Sequence, residues 1–132
     1  MLKKREVNKK VMNATKVEYD GKLFDSKLEA TFAKYLKMNH INYEYNTLTI
    51  EVMPKFRYCD EAIRAAKYTP DFVIGDYLIE VKGFPTDAWK VRRKIILHYM
   101  FQHPEWKYRE VKKVSEMIDV INEIKERGLS LQ

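Results

Sequence analysis

Cysteine is almost missing from this 132-residue chain: Cys59 stands alone, which excludes an internal disulfide and a zinc site built from cysteines. Its expected place is the core or the margin of the core, as a small apolar thiol. Histidine is nearly as scarce, and His40, His98 and His103 follow no metal-ligand spacing, so neither a histidine-built metal site nor a histidine-based triad has support. Long apolar runs are also lacking. No stretch approaches the roughly 20 apolar residues of a membrane span. Met1-Leu2-Lys3-Lys4-Arg5 leads into polar sequence rather than into the apolar segment of a secretion signal. The expectation is a soluble, cytoplasmic protein with no membrane partner. There is no internal repeat and no low-complexity segment.

What the chain does have is charge and enough apolar residues for a core. Lys and Arg number 25 against 19 Asp and Glu, a net charge of +6, and 45% of residues are apolar, enough for one domain. We expect residues 1–13 to form a flexible basic arm and residues 14–132 a single domain. Lys3, Lys4, Arg5, Lys9 and Lys10 crowd the arm against Glu6 alone, and Lys90, Arg92, Arg93 and Lys94 form a second cluster. Such an excess suits an anionic partner, although net charge speaks to steering and solubility rather than to fold.

The order of elements points to an α/β fold, a mixed central β-sheet flanked by helices. Lys16–Phe24 alternates around an Asp-Gly turn and predicts a hairpin. Asp25-Ser26-Lys27-Leu28-Glu29 carries a capping box, and Leu28, Phe32, Tyr35 and Leu36 follow at helical spacing, with an end near Asn39. Residues 41–53 and 55–58 have strand composition, and residues 60–66 read as a short helix or an irregular crossing. A helix is expected over about 86–101, ended by His103-Pro104, then a strand over 106–111. The last helix is expected to start from Ser115 as N-cap and to stop at Gly128. The strand at 107–111 should join the sheet by a helical crossover.

The most informative stretch is Tyr68-Thr69-Pro70-Asp71-Phe72-Val73-Ile74-Gly75-Asp76-Tyr77-Leu78-Ile79-Glu80-Val81-Lys82-Gly83. Two β-prone runs flank Gly75-Asp76, a two-residue hairpin signal. That loop pairs Ile74 with Tyr77, Val73 with Leu78 and Phe72 with Ile79, and sets Asp71 opposite Glu80. Directly opposed residues have Cβ atoms roughly 4.5–5.5 Å apart, and like charges there destabilise a sheet. Lys82, one pleat beyond Glu80, offsets one carboxylate but not both, and the pair invites a divalent metal. A solvated salt-bridge cluster is the plainer alternative. Against it, Pro70 fixes the approach to Asp71, Gly83 permits a sharp exit, and the flanking strands are too apolar for a wholly wet edge. Glu29 has a sufficient structural role in its capping box, yet on a helical wheel it falls about 20° from Leu36, beside the buried stripe. From spacing alone the two readings stand equal.

Taken together, Leu28-Glu29-Ala30, Ile41-Asn42-Tyr43-Glu44-Tyr45, Tyr68-Thr69-Pro70-Asp71-Phe72 and Ile79-Glu80-Val81-Lys82-Gly83 resemble the PD-(D/E)xK nuclease superfamily. The likeness is nearest to phage endonuclease I-type Holliday junction resolvases. It extends to small phage-encoded resolvase-like proteins through F-D-S-K-L-E-A, here Phe24 to Ala30, and V-K-G-F, here Val81 to Phe84. The resemblance implies a restriction-endonuclease-like core and a metal-dependent endonuclease that hydrolyses phosphodiester bonds in branched DNA during recombination. Asp71 and Glu80 would be metal ligands, with the carbonyl of Val81 completing one site and Glu29 supporting a second; Lys82 would be the catalytic lysine. Glu44 matches a further acid of the endonuclease I motif, and an exposed strand carboxylate is an equal reading of it. The expected cofactor is Mg²⁺, with Mn²⁺ as a substitute.

DNA phosphates would be met by Lys3, Lys4, Arg5, Lys9, Lys10, Lys90, Arg93 and Lys94, with binding strongly dependent on salt. Symmetric cleavage of a junction requires two sites and hence a homodimer, working in the host cytoplasm if the chain is phage-encoded. The long basic tail of the endonuclease I group is absent. The alternatives are a PD-(D/E)xK nuclease for flaps, ends, transposons or restriction, and a non-catalytic DNA-binding protein that keeps the fold.

Overall fold

The computed structural model describes residues 15–128, so the basic arm and its residues Lys3, Lys4, Arg5, Lys9 and Lys10 lie outside the described part. The Asp-Gly turn predicted near the start is present. Asp20 and Gly21 take left-handed φ values of 56° and 77°, and β1 (Val17–Tyr19) pairs antiparallel with β2 (Lys22–Phe24).

Helix α1 (Lys27–Met38) starts at Ser26, whose hydroxyl accepts the Glu29 N–H, and it buries Phe32, Ala33 and Leu36. Its end is a Schellman closure. His40 donates its N–H to the carbonyl of Lys37 and Ile41 to that of Leu36, with His40 at φ 59°. Ile41 and Leu36 then meet in the core, the apolar contact that accompanies this cap. A histidine in the left-handed region is strained where glycine is not. His40→Gly is therefore expected to raise the stability by about 0.5–1 kcal/mol, read as a higher denaturant midpoint; an unchanged or lower midpoint would contradict the strain.

The stretch predicted as strand over 41–53 is divided. Only β3 (Glu44–Tyr45) and β4 (Ile50–Met53) pair, because Asn46, at φ 58°, turns the chain between them. Residues 60–66 form neither a helix nor an irregular crossing. Instead β5 (Phe56–Tyr58) and β6 (Glu61–Ile63) make a hairpin, and β7 (Ala66–Tyr68) returns along β4. Cys59 sits in the turn of this hairpin at φ 53° and is exposed, not in or near the core as expected. Its place is set by the turn between two paired strands, which overrides the thiol's preference for burial.

Hairpin β8 (Phe72–Ile74) and β9 (Tyr77–Val81) has the register expected, with Gly75 at φ 58°. The ladder ends at Phe72–Ile79. Helix α2 (Asp87–Gln102), capped by Thr86, crosses over to β10 (Lys107–Val111), which pairs parallel to β9. The resulting sheet runs β10-β9-β8-β3 and is mixed, as the sequence implied.

Helix α3 (Val114–Glu126) begins at Lys113 rather than Ser115. The Glu116 carboxylate accepts the Lys112 N–H at 2.7 Å, so an acid reaching back, not a serine, satisfies a donor at this end.

The two sheet faces differ. Tyr77, Ile79 and Val81 face α1 and α3 in a core with Phe24, Phe72, Met117 and Ile121. Strand alternation sends Leu78 and Glu80 to the other side. A smaller cluster there joins Tyr68 to Trp89 and Ile96 of α2. No helix among the described residues is long and apolar enough to cross a membrane.

Candidate functional site

Asp71 and Glu80 flank the last rung of the β8–β9 ladder. Pro70 has no N–H to extend the pairing; the Asp71 carbonyl accepts the Asn46 N–H, and its carboxylate accepts the Val81 N–H at 2.8 Å. Thus a side chain, not backbone, closes the strand end. Glu80 is buried, and the buried Tyr68 hydroxyl donates to it at 2.7 Å. Glu29, buried in the first turn of α1, accepts from the Ser26 hydroxyl at 2.8 Å. The structural reading of Glu29 holds, since its N–H is capped by Ser26, and its carboxyl is also buried, near enough to Asp71 for each to shift the other.

Three acids so confined disturb one another's charge. Burial, then the charges of Glu80 and Glu29, push Asp71 up to about 9. Burial pushes Glu80 up to about 7, against the Tyr68 hydroxyl and the Lys82 ammonium. Burial also raises Glu29, against hydrogen bonds from Ser26 and Asp71. Burial and the two neighbouring carboxylates therefore oppose the ionisation of Asp71. Lys82 leaves the sheet beside them. Its N–H bonds to the Val111 carbonyl, and its Nζ stands 4.7 Å from the Trp89 ring centroid. Gly83 follows, and a Cβ there would come within 3.2 Å of the Leu28 side chain, so its absence lets α1 close on the strand end.

A cleft of about 310 Å³ opens at this point, lined by Tyr68, Glu80, Lys82, Thr86, Trp89 and Arg92 among others. An all-oxygen donor set with surplus negative charge suits a hard divalent cation such as Mg²⁺. Among the described residues, no three His, Cys, Asp or Glu side chains converge as a finished cage. Each acid is instead turned to its own donor, so holding an ion entails side-chain rotation. Glu29, Asp71 and Glu80 supply the oxygen donors that such an ion takes, without the convergence of a finished site.

Glu44 stands apart. It is exposed, accepts from the Thr47 hydroxyl at 2.7 Å, and lines a separate concavity with Asp20, Lys37 and His40. The basic cluster on α2 is divided as well. Arg93 is engaged with Glu110 at 2.7 Å, Lys90 lies 3.9 Å from Asp87, and Lys94 is exposed. Arg92, not counted among the DNA-contact residues from sequence, lines the cleft and donates to the Lys67 carbonyl. Tyr68 was also missed. Its position three residues before Asp71 was visible, but its aim depends on the pairing of β7 with β4, which no local signal announces.

These observations define a class: a mixed α/β protein with two buried carboxylates, Glu29 and Glu80, a half-buried Asp71 and a lysine at the open end of a β-hairpin. The chain belongs to the family described as a protein of unknown function, DUF1064, whose model matches residues 9–118. No curated protein and no solved structure matches it.

Proposed function

We propose that this protein is a Mg²⁺-dependent endodeoxyribonuclease of the PD-(D/E)xK type, with a restriction-endonuclease-like core, acting on branched DNA as a homodimeric Holliday junction resolvase. The observation that carries the reading is the gathering of two buried acids, Glu29 and Glu80, and the half-buried Asp71 at one strand end, with Lys82 beside them. A structural role alone does not account for three acids whose mutual repulsion and burial oppose ionisation.

Bound Mg²⁺ supplies an acidified water and neutralises charge at the phosphate. Glu29, Asp71, Glu80 and the carbonyl of Val81 would hold it. Tyr68 and Ser26 orient Glu80 and Glu29 by donating to their carboxylates. Lys82, steadied over Trp89, presents its ammonium to the scissile phosphate and to the attacking water, and Arg92 adds a second positive charge in the cleft.

The test is incubation with four-way junction, flap, duplex and single-stranded DNA, in Mg²⁺, Mn²⁺ or EDTA. Paired symmetric nicks in the junction alone are expected, and only with metal. Cleavage of flaps or ends instead would reassign the substrate. No cleavage of any substrate would favour a non-catalytic DNA-binding protein. Lys82→Ala is expected to lower the cleavage rate by about 10²–10³-fold while leaving DNA binding within about twofold; cleavage at the wild-type rate would remove Lys82 from the chemistry.

A further inference from the structure

Residues 50–68 form an arm that the proposed chemistry does not use. Its base, β4 and β7, is packed on α2 through Val52 and Tyr68, which meet Trp89 and Ile96. Beyond the base, β5 and β6 pair with each other and are largely exposed. A two-stranded hairpin with no covering layer is marginal in water, and this one places its aromatic residues outward. Phe56 is 47% and Tyr58 70% exposed, and alternation sets both on one face of β5. Arg57 between them donates to the Asp60 carbonyl and holds the turn.

Charge accompanies the aromatics. A concavity of about 770 Å³ beside the arm is lined by Lys55, Arg64 and Lys67 with Pro54 and Ala65, and its one acid, Glu51, pairs across the ladder with Lys67. This concavity is tied to the candidate site through the backbone of β7. The Lys67 carbonyl accepts from Arg92, which lines the cleft, and the next residue, Tyr68, donates to Glu80.

Exposed aromatic rings beside cations are the chemistry that grips an unpaired nucleic-acid strand: bases stack on the rings and phosphates lie against the cations. We propose that the 50–68 arm binds a single-stranded DNA segment at a branch, with Phe56 and Tyr58 stacking on unpaired bases and Lys55, Arg64 and Lys67 holding the phosphates that lead to the cleft. The inference rests on reading the cleft as a DNA nuclease site, but its test does not depend on cleavage.

The full chain is titrated in EDTA against labelled oligo-thymidine and against blunt duplex DNA, read by fluorescence anisotropy. Phe56→Ser with Tyr58→Ser is expected to weaken oligo-thymidine binding by about 10- to 100-fold and duplex binding by less than about twofold. Lys55→Glu with Arg64→Glu should weaken both and flatten the salt dependence by about two counterions. Tyr58→Trp, a conservative change at the more exposed ring, should keep affinity and show quenched indole fluorescence on binding.

Oligo-thymidine affinity within twofold of wild type in the serine variant, or no measurable wild-type affinity, overturns the arm's role. If the double serine variant does not fold, Tyr58→Ser alone decides the same comparison. A protein that binds through the arm yet cuts nothing in Mg²⁺ sinks the nuclease reading and leaves the arm. One that cuts junctions with arm variants unchanged does the reverse.

Discussion

Asp71→Asn is expected to lower Mg²⁺-dependent cleavage by about 10³-fold or more and, in EDTA above neutral pH, to make the protein more stable. The two effects share one cause. Asp71 is pushed up to about 9 by burial and by the charges of Glu80 and Glu29, so the folded state holds a proton that the unfolded chain releases near the ordinary carboxylate value. Its favourable contribution is whole below that ordinary value. It is then lost as pH rises toward 9, by at most about 1.4 kcal/mol per pH unit for one proton.

Asparagine imitates the protonated acid: it accepts the Val81 N–H and offers a donor toward Glu29, but has no charge to be repelled. Melting in EDTA should therefore show the wild type losing stability between about pH 5.5 and 8.5, and the variant losing less. The residual slope belongs to Glu80, pushed up to about 7, and to Glu29, which burial also raises. Mg²⁺ should restore the wild type, with apparent affinity rising with pH because the ion must displace the proton, and should do little for the variant. Equal pH slopes in the two proteins would show that Asp71 is not buried among like charges.

The neighbouring position gives the opposite outcome. Phe72→Ala is expected to destabilise the fold by about 3–5 kcal/mol, a large part of the roughly 5–15 kcal/mol that holds a domain together. The Phe72 ring is fully buried and meets Phe32 edge-on at 4.9 Å, with Tyr45 at 5.2 Å, Tyr43 at 5.3 Å and Phe24 at 6.3 Å. Four aromatic partners from β2, α1, β3 and its approach leave no single side chain able to fill the hole, so little relaxation is available. Urea unfolding should show a lower midpoint at an unchanged slope. A loss below about 1 kcal/mol would mean that these rings close over the gap.

Where the local chain carried the instruction, the sequence was readable. The left-handed Gly75 turn gave the register of β8 and β9, Ser26 and Thr86 marked the starts of α1 and α2, and the helix between two β-prone runs implied the parallel crossover. The arm was not readable, because Cys59 in a left-handed turn carries no glycine or asparagine signal and because β4 and β7 pair across the whole hairpin. At the site, the turn brought Asp71 and Glu80 to the end of the ladder, but the pairing expected between them is not formed: the last rung is Phe72–Ile79, and the Asp71 carboxylate takes the Val81 N–H instead. The nearness of Glu29 and the aim of Tyr68 did not follow from the turn, since each depends on contacts between segments far apart in sequence. Glu44, one strand over, shows the reverse case: a motif match whose side chain bonds locally to Thr47.

The parallel pairing of β9 with β10 also sets a schedule. Glu80 lies in register with Glu110, and the Lys82 N–H is satisfied only by the carbonyl of Val111, after α2 has been made and folded back. Contacts of such separation close late, after local hairpins and helices have formed. A chain still emerging from the ribosome can form the hairpin that brings Asp71 beside Glu80, but it has no anchor for the lysine. That anchor is complete only once synthesis has passed Val111.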